Sequence, residues 1–119
     1  MKKITILHNP KCTKSRCALD WLSQNNYEID IIEYMKIPLS AEELKTILRQ
    51  LKLKPEDVLR SKEKDFIEHV RDNYNNDEEL IHLMARFPKL IERPIVLWQG
   101  GGVLARPLEN LVNKLQQHK

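Results

Sequence analysis

Two hydrophobic periods alternate along the chain, and the switches between them mark its elements. Ile4, Thr5, Ile6 and Leu7 form a short β-favouring run ended by His8-Asn9-Pro10. Such a run predicts a buried strand over Lys3–Leu7. From Lys14 to Gln24, Cys17, Ala18, Trp21 and Leu22 recur at helical spacing, which predicts a helix with one apolar face. Asn25-Asn26 ends it, and Ile29, Ile31, Ile32 and Tyr34 predict a second strand. Strand, helix and strand with short joints make a βαβ unit, so these strands should run parallel with a right-handed crossover.

The middle of the chain changes to the helical period. Ser40 and Glu43 have the spacing of a capping box, followed by the stripe Leu44, Ile47, Leu48 and Leu51. Pro55 to Arg60 reads as a short helical turn with proline at its start, and Asp65 to Arg71 as another short helix. Asp77 is expected to cap a further helix, with Leu80, Ile81, Leu83, Met84 and Phe87 inward and Pro88 closing it. Pro94 to Trp98 returns to strand, Gln99-Gly100-Gly101-Gly102 is the turn, and Val103-Leu104-Ala105 the hairpin partner. Pro107 opens a last helix whose face carries Leu108, Leu111, Val112 and Leu115.

The order is β-α-β, a helical segment, then β-β-α. This predicts an α/β protein with the thioredoxin order, a mixed four-stranded sheet and helices inserted at about residues 40–88. Residues 1–119 suit one domain, being enough for a real core and too few for two.

Composition narrows the partners. Twenty basic against 17 acidic residues leave a net charge of +3, too mild for the dense basic face that nucleic acid needs and compatible with a small anion. No apolar run reaches the roughly 18 residues of a membrane span. The start, Met1-Lys2-Lys3 followed by a short apolar run, stops at Asn9 well before a signal-peptide core would end. The expected location is the cytoplasm. No Cys/His set has structural zinc spacing, so no metal is expected. A monomer is the default state.

The two cysteines, Cys12 and Cys17, carry the chemistry. Cys12 falls between the first strand and the first helix, where unpaired N–H groups and the positive end of the helix favour a thiolate. Lys11, Lys14, Arg16 and His8 lie close in sequence and favour the same form. The N–H groups of residues 13–16, with the Ser15 hydroxyl and Arg16, make an anion cradle suited to a small tetrahedral oxyanion. Glycine-rich phosphate motifs are absent, so no nucleotide is implied. Cys17 sits about 140° around the helix from Cys12. The expectation is that it packs beside Trp21 as a small hydrophobe rather than resolving Cys12. Trp21 and Trp98 are expected in the core. Lys36, Lys45, Lys52 and Lys54 read as a solvated basic face.

His8-Asn9-Pro10-Lys11-Cys12-Thr13-Lys14-Ser15-Arg16 resembles the H-N-P-x-C-x-x-S-R signature of the ArsC family, the glutaredoxin-coupled arsenate reductases. The resemblance continues in Val58-Leu59-Arg60, in Arg93-Pro94-Ile95-Val96 and in Arg106-Pro107. It implies that Cys12 attacks arsenate, that Arg60, Arg93 and Arg106 hold the oxyanion, and that Ser15 and Arg16 belong to the anion loop. It also implies that His8 keeps Cys12 ionised and that Pro94 is a cis-proline facing the cysteine. No bound cofactor is implied; glutathione is the co-substrate and glutaredoxin the partner. The arginines suit the task independently, because the guanidinium fork binds oxyanions in bidentate fashion.

The signature defines the family more firmly than the substrate. Spx-type regulators that contact RNA polymerase share the fold, although they carry Cys-x-x-Cys where this chain has Ser15. A glutathione-linked thiol–disulfide oxidoreductase with Cys17 as second thiol is the other alternative.

Overall fold

A computed structural model describes residues 3–118. Met1 and Lys2, part of the basic start, and Lys119 lie outside the described residues. The chain forms two compact units. One comprises the residues up to Tyr34 together with those from Arg93 onward, and the other runs from Met35 to Glu92.

The first unit holds the sheet. Its elements are β1 (Lys3–Leu7), α1 (Thr13–Gln24), β2 (Glu28–Ile32), β3 (Ile95–Trp98), β4 (Gly101–Leu104) and α4 (Leu108–His118). The strand order is β2-β1-β3-β4. β1 pairs parallel to β2, with Ile4 beside Ile29 and Ile6 beside Ile31. β3 lies antiparallel to both β1 and β4, placing Val96 beside Ile6 and Val103. The fold is α/β and thioredoxin-like, with a mixed four-stranded sheet. Ile4 and Ile6 of β1 and Val96 and Trp98 of β3 are buried in one cluster with Ala18, Leu22, Leu111 and Leu115. The period-2 positions of the strands thus meet the helical stripes of α1 and α4. Trp21 is half-buried against this cluster and stacks on Tyr27 at 6.2 Å.

The hairpin is tighter than its three glycines suggested. Trp98 pairs directly with Gly101, so Gln99 and Gly100 alone form the loop and β4 begins two residues earlier than expected. Gly100 takes φ +86°, in the left-handed region. Gly101 lies under the Trp98 indole, where a Cβ would come within 2.8 Å of Nε1.

The second unit contains α2 (Ala41–Leu51), a 3₁₀ turn at Pro55–Val58, a π turn at Phe66–Val70, α3 (Asp77–Arg86) and a 3₁₀ turn at Pro88–Leu90. The Ser40–Glu43 capping box forms in both directions, at 3.1 and 3.0 Å. For α3 the cap is Asn76, whose side chain accepts from the Glu79 N–H at 2.9 Å. Asp77, the expected cap, is instead the first helical residue, because an N-cap side chain serves the N–H three residues on. Leu44, Ile47, Leu48, Leu51, Leu80, Ile81 and Met84 are buried. Leu83 and Phe87 are only half-buried. Lys45 departs from the solvated face expected of it, since it is only 21% exposed and ion-paired to both Glu78 and Glu42. Among the described residues, no helix is long and apolar enough to cross a membrane.

Candidate active site

The loop after β1 is shaped by its own side chains. The Asn9 carboxamide accepts from the Lys11 N–H at 3.0 Å, and the Asn9 carbonyl accepts from the Cys12 N–H at 3.0 Å. These bonds turn the chain so that Cys12 becomes the N-cap of α1, with extended φ −97° and ψ 122°. A cap side chain faces the N–H groups of the second and third helical residues, here Lys14 and Ser15. The sulfur makes no formed cap bond. Even so, those two N–H groups favour its anion.

Burial pushes the Cys12 thiol up, but the Ser15 N–H, the Arg93 guanidinium and the Lys14 N–H together outweigh it. The thiol ends below its ordinary value. Helix N-terminus and cation act in the same sense, as a reactive thiol requires. Cys12 remains half-exposed, open to a substrate.

Ser15 is completely buried. Its Oγ accepts from the Asn9 N–H at 3.1 Å and lies 2.6 Å from His8 Nδ1. The hydroxyl hydrogen is satisfied when it donates to Nδ1, which requires a neutral imidazole. Burial, the largest influence on His8, lowers its pKa; Glu33 raises it and Arg16 lowers it, for a net fall. His8 holds Ser15 in place, and the Ser15 N–H faces the sulfur. The Ser15 hydroxyl is likewise committed inside the protein, and what Ser15 offers an anion is its N–H. Arg16 is exposed and folds back on the loop, donating to the Pro10 carbonyl at 3.0 Å and to Thr13 Oγ1 at 3.3 Å.

Arg93 and Arg106 flank β3 and β4. The Arg93–Pro94 and Arg106–Pro107 peptide bonds are both cis. Arg93 Nε is buried and has no hydrogen-bond partner among the described residues. Arg106 Nη1 donates to the Arg93 carbonyl at 3.3 Å. The first unit thus brings together Cys12, Ser15, His8, Arg93 and Arg106. Among the described residues no His/Cys/Asp/Glu group could hold a metal.

Cys17 corrects the sequence reading. It is exposed rather than packed. The buried side of α1 is Ser15, Ala18 and Leu22, spaced i, i+3, i+7, and Cys17 falls about 200° from Ser15.

Arg60 belongs to the second unit. An isolated antiparallel bridge joins Leu59 to Ile91, with the Arg60 N–H donating to Leu90 at 2.7 Å and the Glu92 N–H to Val58 at 2.8 Å. Arg60 Nε lies 3.3 Å from Glu92 and Nη2 lies 3.2 Å from Glu63. Sequence reasoning missed both carboxylates, which no motif marks.

The ArsC family model matches residues 7–113. The chain belongs to the ArsC family. It is similar to an arsenate reductase of Neisseria meningitidis, 39% identical over 113 residues, covering 93% of this chain and 97% of that one. It is 35% identical over 113 residues to the uncharacterized protein YfgD of Escherichia coli, covering 93% and 95% of the two chains. Among solved structures, an arsenate reductase from Vibrio cholerae superposes with TM-score 0.88 at 38% identity, covering 94% of this chain and 97% of that one.

Proposed function

We propose that this chain is an arsenate reductase that uses glutathione and glutaredoxin. The observation that carries the reading is Cys12 at the head of α1, its thiol held below the ordinary value against the effect of burial by the Arg93 guanidinium and two backbone N–H groups. In this reading the Cys12 thiolate attacks arsenic, a sulfur–arsenic bond forms and water leaves. Glutathione supplies the second thiol. Two electrons pass from the sulfurs to As(V), arsenite departs as As(III), and a Cys12–glutathione disulfide remains. Glutaredoxin removes the glutathione and restores Cys12.

Arg93 and Arg106 hold the oxyanion in bidentate fashion, Arg16 braces the loop, Ser15 contributes its N–H, and Pro94 supports the cysteine; the same role for Arg60 rests on the family resemblance alone. Residues 1–119 act as one domain, a monomer working in the cytoplasm without a bound cofactor. The exposed position of Cys17, turned away from Cys12, supports an external second thiol over an internal one.

The deciding assay is arsenate-dependent NADPH consumption with glutathione, glutaredoxin and glutathione reductase. Turnover that requires arsenate and vanishes in Cys12→Ser is expected. Folded protein with a free Cys12 and no arsenate-dependent turnover would overturn the reading.

A further inference from the structure

A second thiol has to reach Cys12 from solvent, and the chain meets it with charge of one sign. Cys12 is half-exposed, and Lys11, Lys14 and Arg16 beside it are exposed. The first acidic residue along the chain is Asp20, one turn beyond Arg16 on α1. Lys11 and Lys14 occupy positions that the H-N-P-x-C-x-x-S-R signature leaves open, so the family pattern does not demand them. Their main chains are fixed. The Lys11 N–H donates to the Asn9 carboxamide at 3.0 Å, and the Lys14 N–H faces the sulfur from the first turn of α1. Adjacent α-carbons are about 3.8 Å apart, so both ammonium groups are tethered close to Cys12.

Arg16 is held more firmly. Its Nη1 donates to the Pro10 carbonyl at 3.0 Å and its Nη2 to Thr13 Oγ1 at 3.3 Å, partners that lie before and after Cys12 in the chain. A guanidinium has five N–H donors in a fixed plane. Two are spent on the loop and three remain, on a side chain that faces solvent. A fork fixed in this way loses little freedom when a carboxylate docks on it.

We propose that Arg16, Lys11 and Lys14 recognise the carboxylates of an anionic thiol co-substrate, and so select the thiol that exchanges with Cys12. The proposal rests on the reading that an external thiol completes the reaction, and it names the chemistry that selects that thiol. Glutathione, a net anion at neutral pH, belongs to the class. Arg93 and Arg106 are left to the oxyanion.

The test reads charge preference without arsenate, in a Cys17→Ser background. The Cys12 thiolate attacks a symmetric disulfide, whose sulfur–sulfur bond breaks; a mixed disulfide with Cys12 forms and one thiolate leaves. Second-order rates are measured with anionic glutathione disulfide, neutral hydroxyethyl disulfide and cationic cystamine. Each is divided by the rate of the same reagent with N-acetylcysteine amide, which removes the reagent's own reactivity. Wild type should prefer glutathione disulfide over hydroxyethyl disulfide roughly tenfold at low salt. The preference should fade between ionic strengths of about 0.01 and 1 M, as the screening length falls from about 30 to about 3 Å. Arg16→Gln should lower it roughly threefold, the size of an exposed ion pair, and Lys11→Gln with Lys14→Gln should do the same. Lys11→Glu with Lys14→Glu should turn the preference toward cystamine. The neutral reagent reports any change in Cys12 reactivity or in fold, so the ratio isolates recognition.

A wild-type preference that is absent or indifferent to salt, or a ratio unmoved in these variants, overturns the proposal and leaves arsenate reduction intact. In the coupled assay the same variants should raise KM for glutathione. A rise confined to KM for arsenate would assign the three cations to the oxyanion and overturn the proposal as well. Absence of arsenate turnover with the charge preference present would instead overturn the functional reading and leave recognition of an anionic thiol standing.

Discussion

Arg106 donates from Nη1 to the backbone carbonyl of Arg93, at 3.3 Å. The side chain of one candidate arginine therefore steadies the main chain of another, and that second arginine acts on the Cys12 sulfur. Lysine at 106 would keep the charge but lose the planar fork. Arg106→Lys is expected to reduce kcat/KM for arsenate roughly ten- to a hundredfold, since a hydrogen bond from a charged donor is worth about 1.5–3 kcal/mol. Steady-state kinetics of the folded variant check it, and wild-type rates would remove Arg106 from the site.

Arg93 favours the Cys12 thiolate directly, so Arg93→Ala should raise the thiol pKa. The measurement is the rate of Cys12 alkylation against pH, in a Cys17→Ser background. In the wild type the midpoint should lie below the ordinary value of 9.0, and in Arg93→Ala it should move upward. The sign for stability follows. A thiol depressed in the fold contributes stability that is fully present above its unfolded value and is lost as pH falls through the folded value.

The two cysteines should be kinetically distinct. Cys12→Ser should abolish arsenate turnover, while Cys17→Ser should retain most of it. Mass spectrometry after a brief pulse of iodoacetamide near neutral pH should find the label on Cys12 first, because the thiolate is the reacting form. Loss of turnover in Cys17→Ser equal to that in Cys12→Ser would mean that the second thiol is internal after all.

His8→Ala leaves the Ser15 hydroxyl buried without its imidazole partner, at a cost of about 1–3 kcal/mol. The pH dependence has a definite sign. The folded pKa of His8 lies below 6.5, so its contribution is complete above 6.5 and is lost as pH falls through the folded value. Urea titrations of wild type and His8→Ala at several pH values should therefore converge toward acid. A stability gap that widens toward acid would contradict the neutral imidazole.

Gly101→Ala places a methyl group 2.8 Å from Trp98 Nε1. The indole or the hairpin has to move, for a loss of about 1–3 kcal/mol. Thermal denaturation should show a lower Tm, and tryptophan fluorescence of the native state should change. An unchanged Tm would mean that the hairpin has room to spare.

Much of this was legible because hydrophobic period and turn chemistry act locally. β1 and the Ser40 capping box are set by residues within one turn of each other. Cys17 was misread for a physical reason. Counting apolar types placed it beside Trp21, whereas the buried line of α1 runs through polar Ser15, which the His8 and Asn9 bonds make tolerable in the interior. The first turn of a helix is where polar groups can be buried, since they serve the loop before it. The Glu63–Arg60–Glu92 arrangement could not be read from spacing, because it depends on a bridge between residues far apart in the chain.

The interrupted first unit has a consequence for synthesis. β1 is an inner strand, flanked by β2 on one side and by β3 on the other. β3, with Arg93 just before it, leaves the ribosome only after all of the second unit. Until then the emerging chain carries Cys12 without the guanidinium that sharpens it. Through most of translation its thiol has at most the N–H groups of its own helix to favour the anion, and the Arg93 contribution arrives only with the completed sheet.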